Sequence, residues 1–346
     1  MCENCLVSIK CNTFNHSAYI KDAFDGFAMQ KTSFPFVAIV VDDASTDGAQ
    51  KVIKAYLNDH FENSIESGFR QWETDDACWI CARHKENMNC HFVVLFLKKN
   101  LYGNPKKNEL VKEWFDKSEY VAFCEGDDYW IDPMKLQNQV GFLEEHEEYT
   151  MCFTRAKVLM ENNCPIYINC FDIKDREYSA TELFMNWIVP TATLVFRKTI
   201  ENYPLKHLEW VLNGDIVIVE KCAHMGKVRG MTACTAVYRI QNQGVTYNPS
   251  RKKKEIMGYP LHIEFLRENF PLISTHVINE RLGRRYFERA MIRESKEERR
   301  RDLLKAKEYV PQMVRSYYRS KRKRLPKRIL KKINVLFKQR LSARKS

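Results

Sequence analysis

Two clusters of carboxylates stand where they could do chemistry together. Asp42-Asp43 closes an apolar run over residues 36–41, and Glu125-Gly126-Asp127-Asp128 closes another over residues 120–124. Uninterrupted apolar runs of this kind read as strands buried on both faces. In an open parallel sheet, ligands bind beyond the carboxyl ends of the strands, so the two clusters are expected to face one crevice. Gathered carboxylates repel one another unless a hard cation neutralises them. Mg2+ or Mn2+ accepts one or two carboxylates together with substrate phosphates, so the expected ligand is a metal-bound diphosphate. Acids can also cap the helices that follow, as Asp47 and Asp132 are expected to do, but a cap needs one carboxylate and not a pair and a triplet. The sequence holds neither a Gly-x-Gly-x-x-Gly turn nor a Gly-x-x-x-x-Gly-Lys-Ser/Thr loop, which argues against a dinucleotide oxidoreductase and a nucleoside triphosphatase. What remains is chemistry in which the metal stabilises a departing nucleoside diphosphate.

The elements that must position these acids alternate strand and helix, the pattern of a mostly parallel sheet covered by helices. Residues 6–9 read as a buried strand. Ser17 is expected to cap a helix that shows Ile20, Ala23, Phe24 and Phe27 at helical spacing. A second helix begins near Asp47-Gly48 and carries Val52, Ile53, Tyr56 and Leu57 on one face. Residues 58–89 are polar and without clear periodicity, and read as an irregular excursion. A strand at 91–97, a helix at 110–115 and the strand at 120–124 follow. Asp132-Pro133 supplies an N-cap and a first-turn proline for a helix through Leu136, Val140 and Leu143. Short strands are expected at 151–154, 193–196 and 236–240, with a helix at 215–224. Beyond Pro249 the chain reads as helical and charged.

In these positions the motifs resemble the inverting family 2 glycosyltransferases of GT-A fold, of the bacterial polysaccharide-biosynthesis type. Val7-Ser8-Ile9 followed by Thr13-Phe14-Asn15-His16 is similar to that family's opening strand and nucleotide-contacting turn. Val41-Asp42-Asp43-Ala44-Ser45-Thr46-Asp47-Gly48 is similar to its Val-Asp-Asp-x-Ser-Thr-Asp-Gly block, and Glu125-Gly126-Asp127-Asp128-Tyr129-Trp130 to its Asp-x-Asp metal motif. The resemblance covers residues 6–245. It implies a Rossmann-like α/β catalytic domain over 1–248 and a helical, basic extension over 249–346. It further implies that Thr13, Phe14, Asn15, Asp42 and Asp43 line the nucleotide-sugar pocket, with Asp43 on the base. Glu125, Asp127 and Asp128 would serve ribose, metal and diphosphate, with Asp127 and Asp128 at the metal. Asn100-Leu101-Tyr102-Gly103 resembles an Asn-x-Gly segment with one extra residue, which makes Asn100 a further donor-binding candidate. The family's catalytic base opens a helix after the metal motif. Asn213-Gly214-Asp215 has that form, so Asp215 is the expected base, its alternative being a plain N-cap. In Tyr238-Arg239-Ile240-Gln241-Asn242, Gln241 stands where relatives carry His, which leaves Arg239 as the expected phosphate partner, or else a structural ion-pair residue.

Bulk properties bound the rest. A chain of 346 residues has room for a large domain and an appendage. Its start lacks the pattern of a signal peptide and no run is apolar enough to cross a bilayer, so a cytoplasmic protein is expected. Reduced thiols are the expected state of its 12 cysteines. Cys2 with Cys5 and Cys78 with Cys81 have Cys-x-x-Cys spacing that could serve zinc, though two coincidences account for it as well. Residues 281–346 hold 25 Lys and Arg against 6 Asp and Glu, a net +19 that leaves −7 for the preceding residues. Within that tail, residues 327–341 form an amphipathic basic pattern suited to an anionic membrane surface, or equally to docking on the protein itself. The expected partners are a nucleotide-sugar donor and a glycan or lipid-linked acceptor, with peripheral contact on the inner face of the membrane. Nucleic acid is not expected, although the tail would attract phosphates. The competing enzyme readings are a nucleotidyltransferase and a nucleotide-sugar hydrolase on a similar fold. A two-carboxylate glycosidase would leave the strand-end clusters unexplained.

Overall fold

The computed structural model describes residues 5–161, 166–167, 171–186, 188–241 and 249–323. The chain divides into two compact units, one of residues 1–205 with 213–248 and one of residues 206–212 with 249–346.

The first unit begins with β1 (Val7–Thr13), α1 (Ile20–Ala28), β2 (Phe36–Asp42) and α2 (Ala49–His60). It continues through β3 (Arg70–Glu73), β4 (Ala77–Arg83), β5 (Cys90–Leu97), α3 (Lys106–Phe115) and β6 (Tyr120–Phe123). Then come β7 (Tyr129–Trp130), α4 (Lys135–Glu145), β8 (Tyr149–Glu161), β9 (Ile166–Tyr167), β10 (Arg176–Glu177), α5 (Ala180–Met185), β11 (Val195–Arg197), α6 (Gly214–Met225) and β12 (Lys227–Gln241). The strands form one sheet in the order β10-β12-β8-β11-β6-β1-β2-β5-β4-β3, with β7 on β12 and β9 on β8. Its centre, β6-β1-β2-β5, is parallel throughout. Antiparallel strands extend both flanks, and β8 and β12 add a parallel pair.

The apolar runs form the centre because both of their faces are covered. Along β2, Phe36, Ala38 and Val40 join Ile20, Phe24, Phe27 and Ile53 from α1 and α2 in one core. The alternate residues Val37, Ile39 and Val41 join Val111 and Trp114 of α3 in another, on the opposite face. This is the period-two alternation of a strand, with neither side left to water.

Several local expectations are corrected. Ser17 does not cap α1. Tyr19 precedes that helix with no side-chain cap, and the Ser17 amide donates instead to Asp47 Oδ2 at 2.8 Å. The turn in which Tyr19 N and Ile20 N both donate to His16 O directs Ser17 toward the neighbouring loop. Asp132 is not the N-cap of α4, which is Met134, but its carboxylate accepts from Met134 N at 2.9 Å. The excursion at 58–89 contains the β3–β4 hairpin, which extends the sheet through β5. The strand expected at 193–196 begins at Val195, because Thr191–Thr193 closes as a 3-10 turn. Cys78 and Cys81 lie on β4 as free thiols, and burial pushes the Cys81 thiol up to about 12, which disfavours a thiolate ligand. Cys5 is disulfide-bonded, against the expectation of reduced thiols, and Cys2 lies outside the described residues.

The second unit is helical, with α7 (Pro249–Asn269), α8 (Thr275–Ile292), α9 (Lys296–Tyr309) and α10 (Pro311–Lys323). The segment 206–212 belongs to it: Asn269 Oδ1 accepts from Lys206 N at 2.8 Å, and a Cβ at Gly258 would come within 2.6 Å of Leu212 Cδ1. Buried Asp302 accepts both Nε and Nη2 of Arg289, which pins α9 to α8. The basic stretch 327–341 lies outside the described residues. Among the described residues no helix is long and apolar enough to cross a membrane.

Candidate active site

The carboxyl ends of β6, β1 and β2 lie side by side, because β1 pairs with β2 on one edge and with β6 on the other. Thr13 ends β1 opposite Asp42, and Asp43 N donates to Thr13 O at 2.9 Å. From the other side, Gly126 N donates to Asn12 O at 2.9 Å, and Asp128 N closes the acidic turn onto Glu125 O at 3.0 Å. The β1 terminus thus sits between the two acidic clusters, as the strand-end argument requires.

The acidic turn is packed too closely for any side chain at its second position. A Cβ at Gly126 would lie 2.7 Å from Thr13 Cβ and 2.9 Å from Ile20 Cδ1. Gly126→Ala is therefore expected to cost about 1–3 kcal/mol of stability through overpacking, seen as a lower melting temperature. It should also displace Asp127 and weaken ligand binding. An unchanged melting temperature would show that the turn has slack.

The β2 loop is held by its own side chains. Asp42 is fully buried, and its Oδ2 accepts from Gln50 Nε2 at 2.7 Å and Ser45 N at 3.2 Å. Asp43 Oδ1 accepts from Leu101 N at 2.6 Å, and its Oδ2 pairs with Lys107 Nζ at 3.1 Å. Asn100 Nδ2 donates to Asp43 O at 2.9 Å. The Asp43 and Asn100 pair thereby fixes the loop after β5 against the loop after β2. Asn15 couples the β1 loop to the same region, since its Oδ1 accepts from Thr46 N at 2.8 Å and its backbone N–H donates to Ser45 Oγ. Asn15 and Ala44 both have positive φ, at 57° and 60°, and for alanine this left-handed conformation is strained. Phe14 is 45 % exposed beside them.

The second half of the sheet completes the site. β7 pairs with β12 next to the acidic turn, so β12 lays Arg239 and Gln241 against it. Arg239 N donates to Asp128 Oδ1 at 2.8 Å, and its guanidinium donates to Asp127 O at 2.8 Å and to Asp22 Oδ2 at 2.7 Å. The same guanidinium lies over the rings of Tyr19 and Tyr129. Gln241 Nε2 donates to Asp127 Oδ2 at 2.9 Å. Gln241 therefore touches the acidic turn directly. On the β1 side His16 Nε2 lies 3.8 Å from the same Asp127 oxygen.

Electrostatics bear the mark of burial. Burial pushes the Asp128 carboxyl well above the usual range, with the neighbouring Asp127 adding to it. Burial also raises Glu125, and the Lys10 ammonium opposes that shift. The His16 imidazole is held below its usual value by burial, against the pull of Asp127. Buried polar atoms with no hydrogen-bond partner among the described residues collect here: Thr13 Oγ1, His16 Nδ1 and Asp42 Oδ1. Such atoms cost free energy until a ligand satisfies them.

Asp215 lies in the first turn of α6, whose N-cap residue Asn213 makes no side-chain cap. Its Oδ1 accepts only from the neighbouring Ile216 N among the described residues, and burial raises its carboxyl. One turn further, Glu220 is fully buried, and neither of its carboxyl oxygens has a hydrogen-bond partner among the described residues. The His224 ring lies 3.8 Å away through Nδ1, and burial pushes the Glu220 carboxyl up to about 8. The unfolded chain releases this proton near the ordinary 4.5, so the fold loses stability as pH rises from there toward 8. Glu220→Gln cannot ionise. It is expected to melt higher than wild type at pH 8.5, by on the order of a few kcal/mol in stability, with the gap narrowing at pH 5.5. A gap independent of pH would contradict a protonated Glu220.

The sequence motifs thus place Thr13, Asn15, Asp42, Asp43, Asn100, Glu125, Asp127, Asp128 and Arg239 in one connected network. Asp215 stands on α6 with no hydrogen bond to that network among the described residues. Sequence reasoning missed His16 and Lys107 as site residues and gave Gln241 only as a replacement. His16 directly follows the Thr-Phe-Asn turn, which was the one available signal, whereas nothing in the sequence marks Lys107.

No family model matches the chain. An uncharacterized protein of Mycobacterium tuberculosis is 28 % identical over 269 residues, 73 % of this chain and 65 % of that protein. The chain thus spans a little under two thirds of that relative's length. The Bacillus subtilis protein named putative teichuronic acid biosynthesis glycosyltransferase TuaG is 22 % identical over 253 residues, 72 % of this chain and 85 % of that protein. Among solved structures, Staphylococcus aureus TarS 1–349 in complex with UDP aligns with a TM-score of 0.52 at 18 % identity, covering 89 % of this chain and 82 % of that one. The same protein in complex with UDP-GlcNAc aligns at 0.53 and 17 % identity, with the same coverage. The likeness establishes the fold: a GT-A-like mixed sheet, parallel at its centre and flanked by helices.

Proposed function

We propose that this chain is a glycosyltransferase. It would move a sugar from a nucleoside-diphosphate sugar to a glycan or lipid-linked acceptor by metal-assisted single displacement with inversion. The observation that carries this reading is the convergence of both acidic clusters on the β1 terminus, with unsatisfied buried polar atoms beside them. The resemblance of the motifs and the fold shared with TarS, solved with UDP and UDP-GlcNAc, support the same reading.

The site's chemistry suits a divalent ion, Mg2+ or Mn2+. Asp127 Oδ2 accepts one hydrogen bond, from Gln241, and its Oδ1 accepts none among the described residues, so both oxygens keep a lone pair for an ion, and Asp128 adjoins it. Among the described residues no three His, Cys, Asp or Glu side chains form a complete cage, so an ion here would take its remaining ligands from phosphates. When bound, the ion would offset charge developing on the departing diphosphate. Thr13, Phe14 and Asn15 would wall the nucleoside pocket, with Asp42 fixing the loop beneath. Asp43 and Asn100 would hold the loop after β5 at the nucleobase, and Glu125 would serve the ribose. Arg239 would act through position, since it clamps the Asp127 carbonyl and Asp128 while its guanidinium pairs with Asp22. Asp215 would take the proton of the attacking hydroxyl, a role helped by a raised carboxyl.

In this reading residues 1–248 form the catalytic domain and 249–346 a basic helical extension. The extension would bring the enzyme to the inner face of an anionic membrane through 327–341. The test is a panel of UDP-, GDP- and dTDP-sugars with Mn2+ or EDTA, followed by thermal shift and by slow donor hydrolysis. A metal-dependent shift with one nucleotide class is expected. No response to any donor would overturn the reading, and turnover unaffected by any acceptor would favour a nucleotide-sugar hydrolase.

A further inference from the structure

His16 is a half-buried imidazole whose ring nitrogens make no hydrogen bond among the described residues. Its side chain is 16 % exposed, and Nδ1 is buried without a hydrogen-bond partner among the described residues. Nε2 stands 3.8 Å from Asp127 Oδ2, too far for a hydrogen bond. The backbone around it is fixed, because the His16 carbonyl accepts from Tyr19 N and Ile20 N at 2.9 Å each, and its ring meets that of Tyr19 edge-on. Nε2, with no hydrogen bond among the described residues, is the nitrogen left to take a ligand beside Asp127.

The separation is close to that of two ligands on one ion. Two adjacent ligands of an octahedral ion at about 2.1 Å each lie about 3 Å apart. At 3.8 Å the pair stands wider, so uptake of a shared ion would draw the two atoms together by about 0.8 Å. Across the carboxylate, Gln241 donates to the same Asp127 oxygen from β12, so that flank is already occupied.

Resting on the transferase reading, we propose that His16 Nε2 is a ligand of the divalent ion taken up with the nucleoside diphosphate, sharing it with Asp127. One imidazole beside a carboxylate tilts selectivity from Mg2+ toward Mn2+ and other metals that accept nitrogen.

The test is pulsed electron paramagnetic resonance on the full chain with Mn2+ and UDP, GDP or dTDP. Nitrogen modulation from a metal-bound imidazole is expected in wild type, with its frequency changed by 15N-histidine labelling. His16→Gln should lose the modulation and take up Mn2+ about tenfold more weakly or worse. Its preference for Mn2+ over Mg2+ should shrink too. Nucleotide-dependent uptake of Mn2+ without histidine nitrogen modulation would overturn the assignment and leave the transferase reading standing. Retention of the modulation in His16→Gln would overturn it equally. No uptake with any of the three nucleotides would overturn both. A wild-type spectrum without histidine nitrogen modulation overturns the assignment by itself, so the proposal stays testable even if the variant fails to fold.

Discussion

Asp127→Ala is expected to abolish the metal-dependent thermal shift given by the preferred nucleotide and to lower sugar transfer by about three orders of magnitude. A bound cation supplies several kcal/mol of charge stabilisation, and each 1.4 kcal/mol is tenfold in rate. The fold should survive, because the Asp127 side chain is 23 % exposed and the clamp from Arg239 reaches its backbone carbonyl, which alanine keeps. The loss should therefore appear in ligand response and turnover with the unliganded melting temperature nearly unchanged. Relief of repulsion with Asp128 should add a small gain, since Asp127 is one cause of the raised Asp128 carboxyl. Equal nucleotide shifts in variant and wild type, with and without EDTA, would remove Asp127 from the metal site.

Asp215→Asn separates binding from chemistry. A general base contributes about 10²–10⁴-fold, so kcat should fall by that factor while the nucleotide-dependent thermal shift is kept. The amide is isosteric and can still accept from Ile216 N, the bond that the carboxylate makes now. The pH profile carries a second sign. Burial raises the Asp215 carboxyl, and only its ionised form accepts a proton, so kcat should climb with pH through a limb above the ordinary carboxylate range. A variant that transfers sugar at the wild-type rate would return Asp215 to the role of a helix-terminal residue.

Legibility in the sequence followed the range of the interaction. β2 was readable because its seven residues are buried on both faces, and α1 because Ile20, Ala23, Phe24 and Phe27 all enter one core. The β3–β4 hairpin was not. β3 is an edge strand whose residues are mostly exposed, so no apolar run or alternation marks it, and the stacking of Trp72 on Trp79 at 5.3 Å appears only once the strands pair. The caps expected at Ser17 and Asp132 went elsewhere, because backbone turns placed other residues at the helix starts.

The acidic clusters themselves were fixed by sequence, as short motifs at the ends of two recognisable strands. That they flank one strand end follows from β1 lying between β2 and β6, an order supplied by the tertiary structure. What surrounds them was decided only by tertiary structure. Arg239 meets Asp128 across 111 residues and Gln241 meets Asp127 across 114, through a pairing of β12 with β7 that leaves no local trace. Sequence periodicity records which face of an element is buried. It does not record which distant strand will lie beside it, and at this site that choice determines which side chains hold the carboxylates and which stand unspent.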